Sequence, residues 1–124
     1  MNILLDTHIL LWWLADSSKL SAKARAAIAG SEMVYVSAAS AWEIEIKKAR
    51  GRLSAPNNLE ATLRAYQLIP LPITVSHAIA AAGLPKHHND PFDRMLIAQA
   101  VTESLTLLTV DVNLTHYDVP LMLV

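Results

Sequence analysis

The chain has 124 residues, 53 % of them apolar, a formal net charge of −1 and no cysteine. That length suits one domain with a sizeable core, and the near-neutral charge means that any nucleic-acid binding must come from a local patch. Disulfides and thiolate metal sites are excluded, and no apolar run reaches the roughly 20 residues of a membrane span.

In chain order, NILLD (2–6) reads as a short buried strand and THILLWWLAD (7–16) as the helix after it. The first residues reach Asp6 before an apolar signal region can form, so we expect no secretion and a cytoplasmic location, in keeping with the absence of cysteine. SAKARAAIAGS is a second helix, with Ser21 as its N-cap and Gly30 as its stop. MVYV (33–36) is a strand, followed by a helix through SAWEIEIKKAR that Gly51 terminates. NLEATLRAY is helical, LIPLPI extended, and VSHAIAAAGL helical again. HHNDPFDRMLIAQA (87–100) opens a buried helix, TLLTV (106–110) is a strand, DVNLTHY a turn or short helix, and PLML the last strand. With no linker or repeat, residues 1–124 read as a single α/β domain, three-layer α/β/α on a short parallel sheet of about five strands.

In such sheets, sites form beyond the carboxyl ends of the strands. Asp6 closes the first strand, Glu43 lies early in the helix after the second, Asp90 and Asp93 open the helix of PFDRMLIAQA, and Asp111 follows TLLTV. Each acid has a structural reading. Ser40-x-x-Glu43 matches a capping box, Asp90 with Pro91 an N-cap and first helical residue, and Asp111 a cap for the short helix after it. Capping does not require carboxylates at every junction, however, and Asp6 ends a buried strand where a charge gains little from it. On the helix after Ser40, Trp42, Ile46 and Ala49 share an apolar face, while Glu43, Lys47 and Arg50 share a neighbouring stripe. Lys47 is there either an i,i+4 partner of Glu43 or, with Arg50, a phosphate contact. Asp93 falls in line with Ile97 and Ala100 and so points inward.

Converging carboxylates need a counter-charge, and oxygen-only ligands suit Mg²⁺ or Mn²⁺. His87 and His88 adjoin this cluster, but adjacent loop histidines are read as solvated rather than ligating. Carboxylates around a hard cation suit hydrolysis of phosphate esters.

These segments resemble PIN-domain ribonucleases, and in particular the VapC-type toxins of bacterial toxin–antitoxin pairs. ILLDTHILLWWL resembles that family's opening segment, SAASAWEIEIKKARGRL its second acidic segment, HHNDPFDRMLIAQA its third, and LLTVD with YDVPLML its close. The resemblance implies a Mg²⁺- or Mn²⁺-dependent endoribonuclease in which Asp6, Glu43, Asp93 and Asp111 are the catalytic and metal-binding acids. It implies hydroxyl support from Thr7 and Thr109, either a capping or backing role or a direct one for Asp90, and Arg94 meeting substrate phosphate or bracing an acid. It further implies an RNA substrate, a cognate antitoxin lying across the helices near the site, and a homodimer. One of Trp12 and Trp13 is expected in the core and the other on a partner surface. Asn113 stands where relatives often carry a small or acidic residue, which bears on a second metal position.

Two other classes compete. A PIN fold used only for interaction would be marked by loss of an acid, and all four are present. A receiver-type phosphoacceptor domain needs an aspartate at its third strand and a lysine near its last, which LIPLPI and PLMLV do not supply.

Overall fold

The computed structural model describes residues 1–124, with five strands, six α-helices and one 3-10 helix. In chain order these are β1 (Asn2–Leu5), α1 (Thr7–Leu14), α2 (Ala22–Gly30), β2 (Met33–Ser37), α3 (Ala38–Ala49), α4 (Leu59–Ala65) and β3 (Ile69–Leu71). Then follow α5 (Val75–Ala82), α6 (Pro91–Glu103), β4 (Thr106–Thr109), the 3-10 helix (Val112–His116) and β5 (Leu121–Leu123). The sheet is parallel throughout in the order β3-β2-β1-β4-β5, with Leu4 opposite Tyr35 on one side and Leu107 on the other. No helix is long and apolar enough to cross a membrane.

Side-chain alternation along the strands divides the core in two. Ile3, Leu5, Val34, Val36 and Leu108 face one layer with Ile9 and Leu10 of α1, Ile28 of α2, Ile44 of α3 and Leu63 of α4. Leu4 and Leu107 face the other, with Leu96, Ile97 and Ala100 of α6, Leu114 and Tyr117. This is the three-layer arrangement the strand–helix alternation predicts. The chain builds outward from β1 to β2 and β3, then returns to the far side of β1 with β4. The strand order therefore reverses at β1, and the crevice beyond the carboxyl ends of β1 and β4 is where α/β sheets place ligands.

Local chemistry accounts for the helix ends. The Ser21 hydroxyl accepts from Ala24 N–H, as its N-cap role requires, and Gly30 is the last residue of α2. After α3, Gly51 takes φ +69°; its N–H and that of Arg52 bond Lys48 O and Lys47 O, closing the helix as a Schellman turn. The expected capping box Ser40-x-x-Glu43 does not form. Helix α3 starts three residues earlier, capped by Ser37, whose hydroxyl accepts from Ala39 N–H. Two serines three apart both suit a cap, and β2 running straight into the helix selects the first. Ser40 is then buried in the first turn. The face of Trp42, Ile46 and Ala49 turns outward, with Trp42 64 % exposed, because Ser40, Glu43 and Ile44 face inward. Trp12 and Trp13 are not divided between core and surface: both are half-buried against the same cluster.

Candidate metal centre

Beyond the ends of β1 and β4 lies a cleft of about 110 Å³ lined by Asp6, Thr7, His8, Glu43, Lys47, Asp90, Asp93, Val110 and Asp111. The five acids singled out in the sequence all meet here, with one lysine among them.

Asp6 bridges β1 and α1 with no loop between them. It stands at the N-cap position of α1, but its side chain caps nothing. Thr109 Oγ1 donates to Asp6 Oδ2 instead, and the same hydroxyl accepts from Asp111 N–H at 3.0 Å, so Thr109 couples the first acid to the last. Asp6 is only 4 % exposed. Burial raises its carboxyl above the ordinary 3.8; the Thr109 hydrogen bond and His8 oppose this, and the Glu43 charge adds to it. Beneath the acids, Thr7 Oγ1 donates to Ser40 Oγ at 2.9 Å, joining α1 to α3 by a buried hydroxyl pair.

Glu43 is buried on the inner face of α3, and Lys47 Nζ reaches its Oε2 at 2.7 Å, the i,i+4 pair anticipated. Asp90 caps α6, accepting from Phe92 N–H and Asp93 N–H through one oxygen, with Pro91 as first helical residue. Asp93 points inward as its alignment with the fully buried Ile97 and Ala100 requires. Its carboxyl is raised to about 6, first by burial and then by the charges of Asp6 and Asp90, against a hydrogen bond from His88. Asp111 accepts from Asn113 N–H at 2.9 Å and so caps the 3-10 helix while lining the cleft.

Two expected substrate contacts lie elsewhere. Arg50 is exposed at the C-cap of α3, outside the cleft lining. Arg94 touches neither acid nor cleft. Its guanidinium donates to the carbonyls of Ala81, Leu84, Pro85 and His88, gathering the connection between α5 and α6. A fork of donors satisfies several converging carbonyls at once, and from its place on α6 Arg94 faces that connection rather than the acids. Three residues at the site carried no such role in the sequence. His8 lines the cleft, Ser40 receives the Thr7 hydroxyl, and His88, read as solvated, places Nε2 at 2.8 Å from Asp93 Oδ2. For Ser40 and His8 a signal existed, since each lies within three residues of an acid on the first turns of a helix.

Burial is the main reason that Asp6 and Asp93 hold protons more tightly than usual, and the neighbouring carboxylates, five facing one lysine, add to it. The acids offer oxygen alone, and the two most buried, Asp6 and Glu43, come from the end of β1 and from α3. That donor set fits a hard divalent cation such as Mg²⁺ or Mn²⁺.

Comparison with known proteins gives the family and the fold. The PIN domain family matches residues 3–120. Ribonuclease VapC22 of Mycobacterium tuberculosis is 31 % identical over 122 residues, covering 96 % of this chain and 94 % of that protein. Among solved structures, VapBC2 from Rickettsia felis bound to a promoter DNA fragment superposes with a TM-score of 0.72 at 13 % identity, covering 98 % of each chain. A toxin–antitoxin complex from Klebsiella pneumoniae gives 0.70 at 16 % identity, covering 97 % of this chain and 95 % of that one. FitAcB from Neisseria gonorrhoeae gives 0.66 at 21 % identity, covering 98 % and 96 %. These structures share the fold, and the family match takes in every acid of the cleft from Asp6 to Asp111. A parallel sheet that reverses at its first strand, with carboxylates gathered at the reversal, thus has its place among known proteins: the chain belongs to the PIN-domain family.

Proposed function

We propose that the protein is a Mg²⁺- or Mn²⁺-dependent endoribonuclease acting in the cytoplasm as the toxin of a toxin–antitoxin pair. The observation that carries this reading is the meeting of Asp6, Glu43, Asp93 and Asp111 in one cleft whose only lysine is Lys47. One relative is named a ribonuclease, and one structural neighbour is described as a toxin–antitoxin complex, which supports the same reading.

In this reading Asp6, Glu43, Asp93 and Asp111 hold the cation, which when bound supplies Lewis acidity toward phosphate oxygens and a more acidic water. The chain's own residues do the rest. Thr109 fixes the Asp6 carboxylate through its hydroxyl, and Thr7 ties the floor of the cleft to α3. Asp90 sets the start of α6 and thereby the position of Asp93. Lys47, half-exposed beside Glu43, meets the negative charge of the RNA backbone, and Arg50, one turn further along α3, extends that basic path outside the cleft. Partner binding is supported by exposed apolar surface. A second, apolar cleft is lined by Ala39, Trp42, Ile73, Pro91, Phe92 and Met95, and Val75 and Ile79 of α5 are largely exposed. A cognate antitoxin and a second copy of the chain are the partners assigned to such surface.

The test is cleavage of total RNA by the purified protein with Mn²⁺, with Mg²⁺ and with chelator, followed by mapping of the cut ends. Cleavage that requires the metal and stops in Asp6→Asn is expected. Cleavage indifferent to chelator and to that substitution would overturn the reading.

A further inference from the structure

We infer that His88 is a positioning residue for Asp93: it takes one carboxylate oxygen and so leaves the other fixed for the divalent cation, a role that rests on the metal-dependent reading above. His88 Nε2 lies 2.8 Å from Asp93 Oδ2, and because an ionised carboxylate only accepts, the imidazole N–H donates. The two side chains are 24 % and 19 % exposed, so the bond is shielded rather than a loose surface contact.

The imidazole is delivered by a braced segment. Arg94 Nη1 donates to His88 O at 3.3 Å and to Pro85 O at 2.9 Å, and its Nη2 holds Ala81 O and Leu84 O. Tyr117 Oη donates to Pro85 O at 3.0 Å, beside the Arg94 Nη1 that donates to it at 3.4 Å. Arg94 directly follows Asp93, so the residue after the acid anchors the loop that returns a donor to it. Asp93 and His88 thus form a closed circuit through Arg94, which gives the guanidinium a purpose although it never touches the cleft.

Ligand atoms of His88, Asp90 and Asp93 all lie within 4.8 Å of one another. Direct ligation by His88 is the rival to positioning. Two contacts argue for positioning: Nε2 is already committed to Oδ2, and one Asp90 oxygen is committed to the first N–H groups of α6. Residues that hydrogen-bond a ligating carboxylate set its orientation, and their loss weakens metal binding about 10- to 100-fold.

The experiment is titration of Mn²⁺ into the full-length protein by calorimetry, with the melting temperature in chelator as a folding control. His88→Leu removes the donor, whereas His88→Gln returns an amide N–H at nearly the reach of Nε2. Expected are a loss of Mn²⁺ affinity of about 10-fold or more in His88→Leu and recovery of most of it in His88→Gln. If His88→Leu does not fold, His88→Asn replaces it, its shorter amide losing the affinity that glutamine keeps. Wild-type affinity in the variant without the donor overturns the inference. Equal weakness of the glutamine and leucine variants also overturns it, by making the ring itself a ligand. A wild-type protein that binds no Mn²⁺ overturns the metal-dependent reading, and this inference falls with it.

Discussion

Replacing Asp93 by asparagine should stabilise the metal-free protein at neutral pH. The Asp93 carboxyl rises from 3.8 to about 6 on folding, mainly through burial. At roughly 1.4 kcal/mol per pH unit, this rise corresponds to about 3 kcal/mol of destabilisation once the group is ionised. The side chain retains 19 % exposure, and solvent screening trims the expectation to about 1–3 kcal/mol. Between about pH 4 and pH 6 the native state binds this proton more tightly than the unfolded chain does. Stability therefore falls as pH rises through that window; the penalty is complete above it and absent below it. Asparagine carries no charge to desolvate, and its carbonyl still accepts from His88. Urea unfolding in chelator at pH 7.5 should show Asp93→Asn more stable by about 1–3 kcal/mol, or about 3–10 °C in Tm for a domain of this size. The gap should close toward pH 4. Saturating Mn²⁺ should reverse the order, because only the wild type gains fully by mass action, about 2.7 kcal/mol at a hundredfold excess over Kd. Equal stability of the two proteins at pH 7.5, or a gap that ignores pH, would refute the claim that crowding and burial destabilise the ionised acid.

Asp6→Asn should abolish RNA cleavage while raising the chelator Tm, measured by cleavage assay and thermal melt on one preparation. The buried charge is removed and the Thr109 hydroxyl still finds a carbonyl. Adding Mn²⁺ to the wild type should raise Tm, and chelator should return it to the metal-free value; a melt unmoved by saturating Mn²⁺ would contradict the cleft's need for a counter-ion. Arg94→Ala should cost about 2–4 kcal/mol in urea unfolding, since it removes the donor from four carbonyls and leaves those of Ala81 and Leu84 without its guanidinium. Ser37→Ala should cost about 1 kcal/mol through loss of the α3 cap, whereas Ser40→Ala should leave that cap intact; equal costs with an intact Thr7 environment would restore the abandoned capping box.

Periodicity and junction chemistry made much of this molecule legible. The inward aim of Asp93 follows from its spacing to Ile97 and Ala100, and the N-cap at Asp90 from the proline after it. The start of α3 was not legible, because Ser37 and Ser40 are equally good caps in isolation. Their order was settled by β2 pairing with β3 as far as Ser37, which leaves no residues for a loop. The orientation of Trp42 followed from the same three-residue difference: with Glu43 and Ile44 turned inward, their neighbour faces solvent. Arg94 and His88 failed for another reason. Their partners are carbonyls and a carboxylate reached through an irregular connection between α5 and α6, and no spacing rule describes where such a segment folds back. The meeting of the acids was legible because each lies at the end of a strand or in the opening turns of a helix, and parallel strands bring those junctions to one edge.

The junction at Asp6 has a mechanical consequence. Its N–H bonds Leu108 O in the sheet ladder, while its carbonyl accepts from Leu10 N–H in the first turn of α1, each at 3.0 Å. One residue is thus riveted into two hydrogen-bond systems, and its backbone cannot shift without breaking both. The cleft consequently has a stiff jaw and a more compliant one. The Asp6 side inherits the rigidity of the sheet, whereas Asp93, in the first turn of a helix entered from the irregular α5–α6 connection, and Asp111, just beyond β4, are more exposed. In the metal-dependent reading, accommodation of ions of different radius falls to the compliant side, and at position 6 the reach of the side chain is constrained as tightly as its charge.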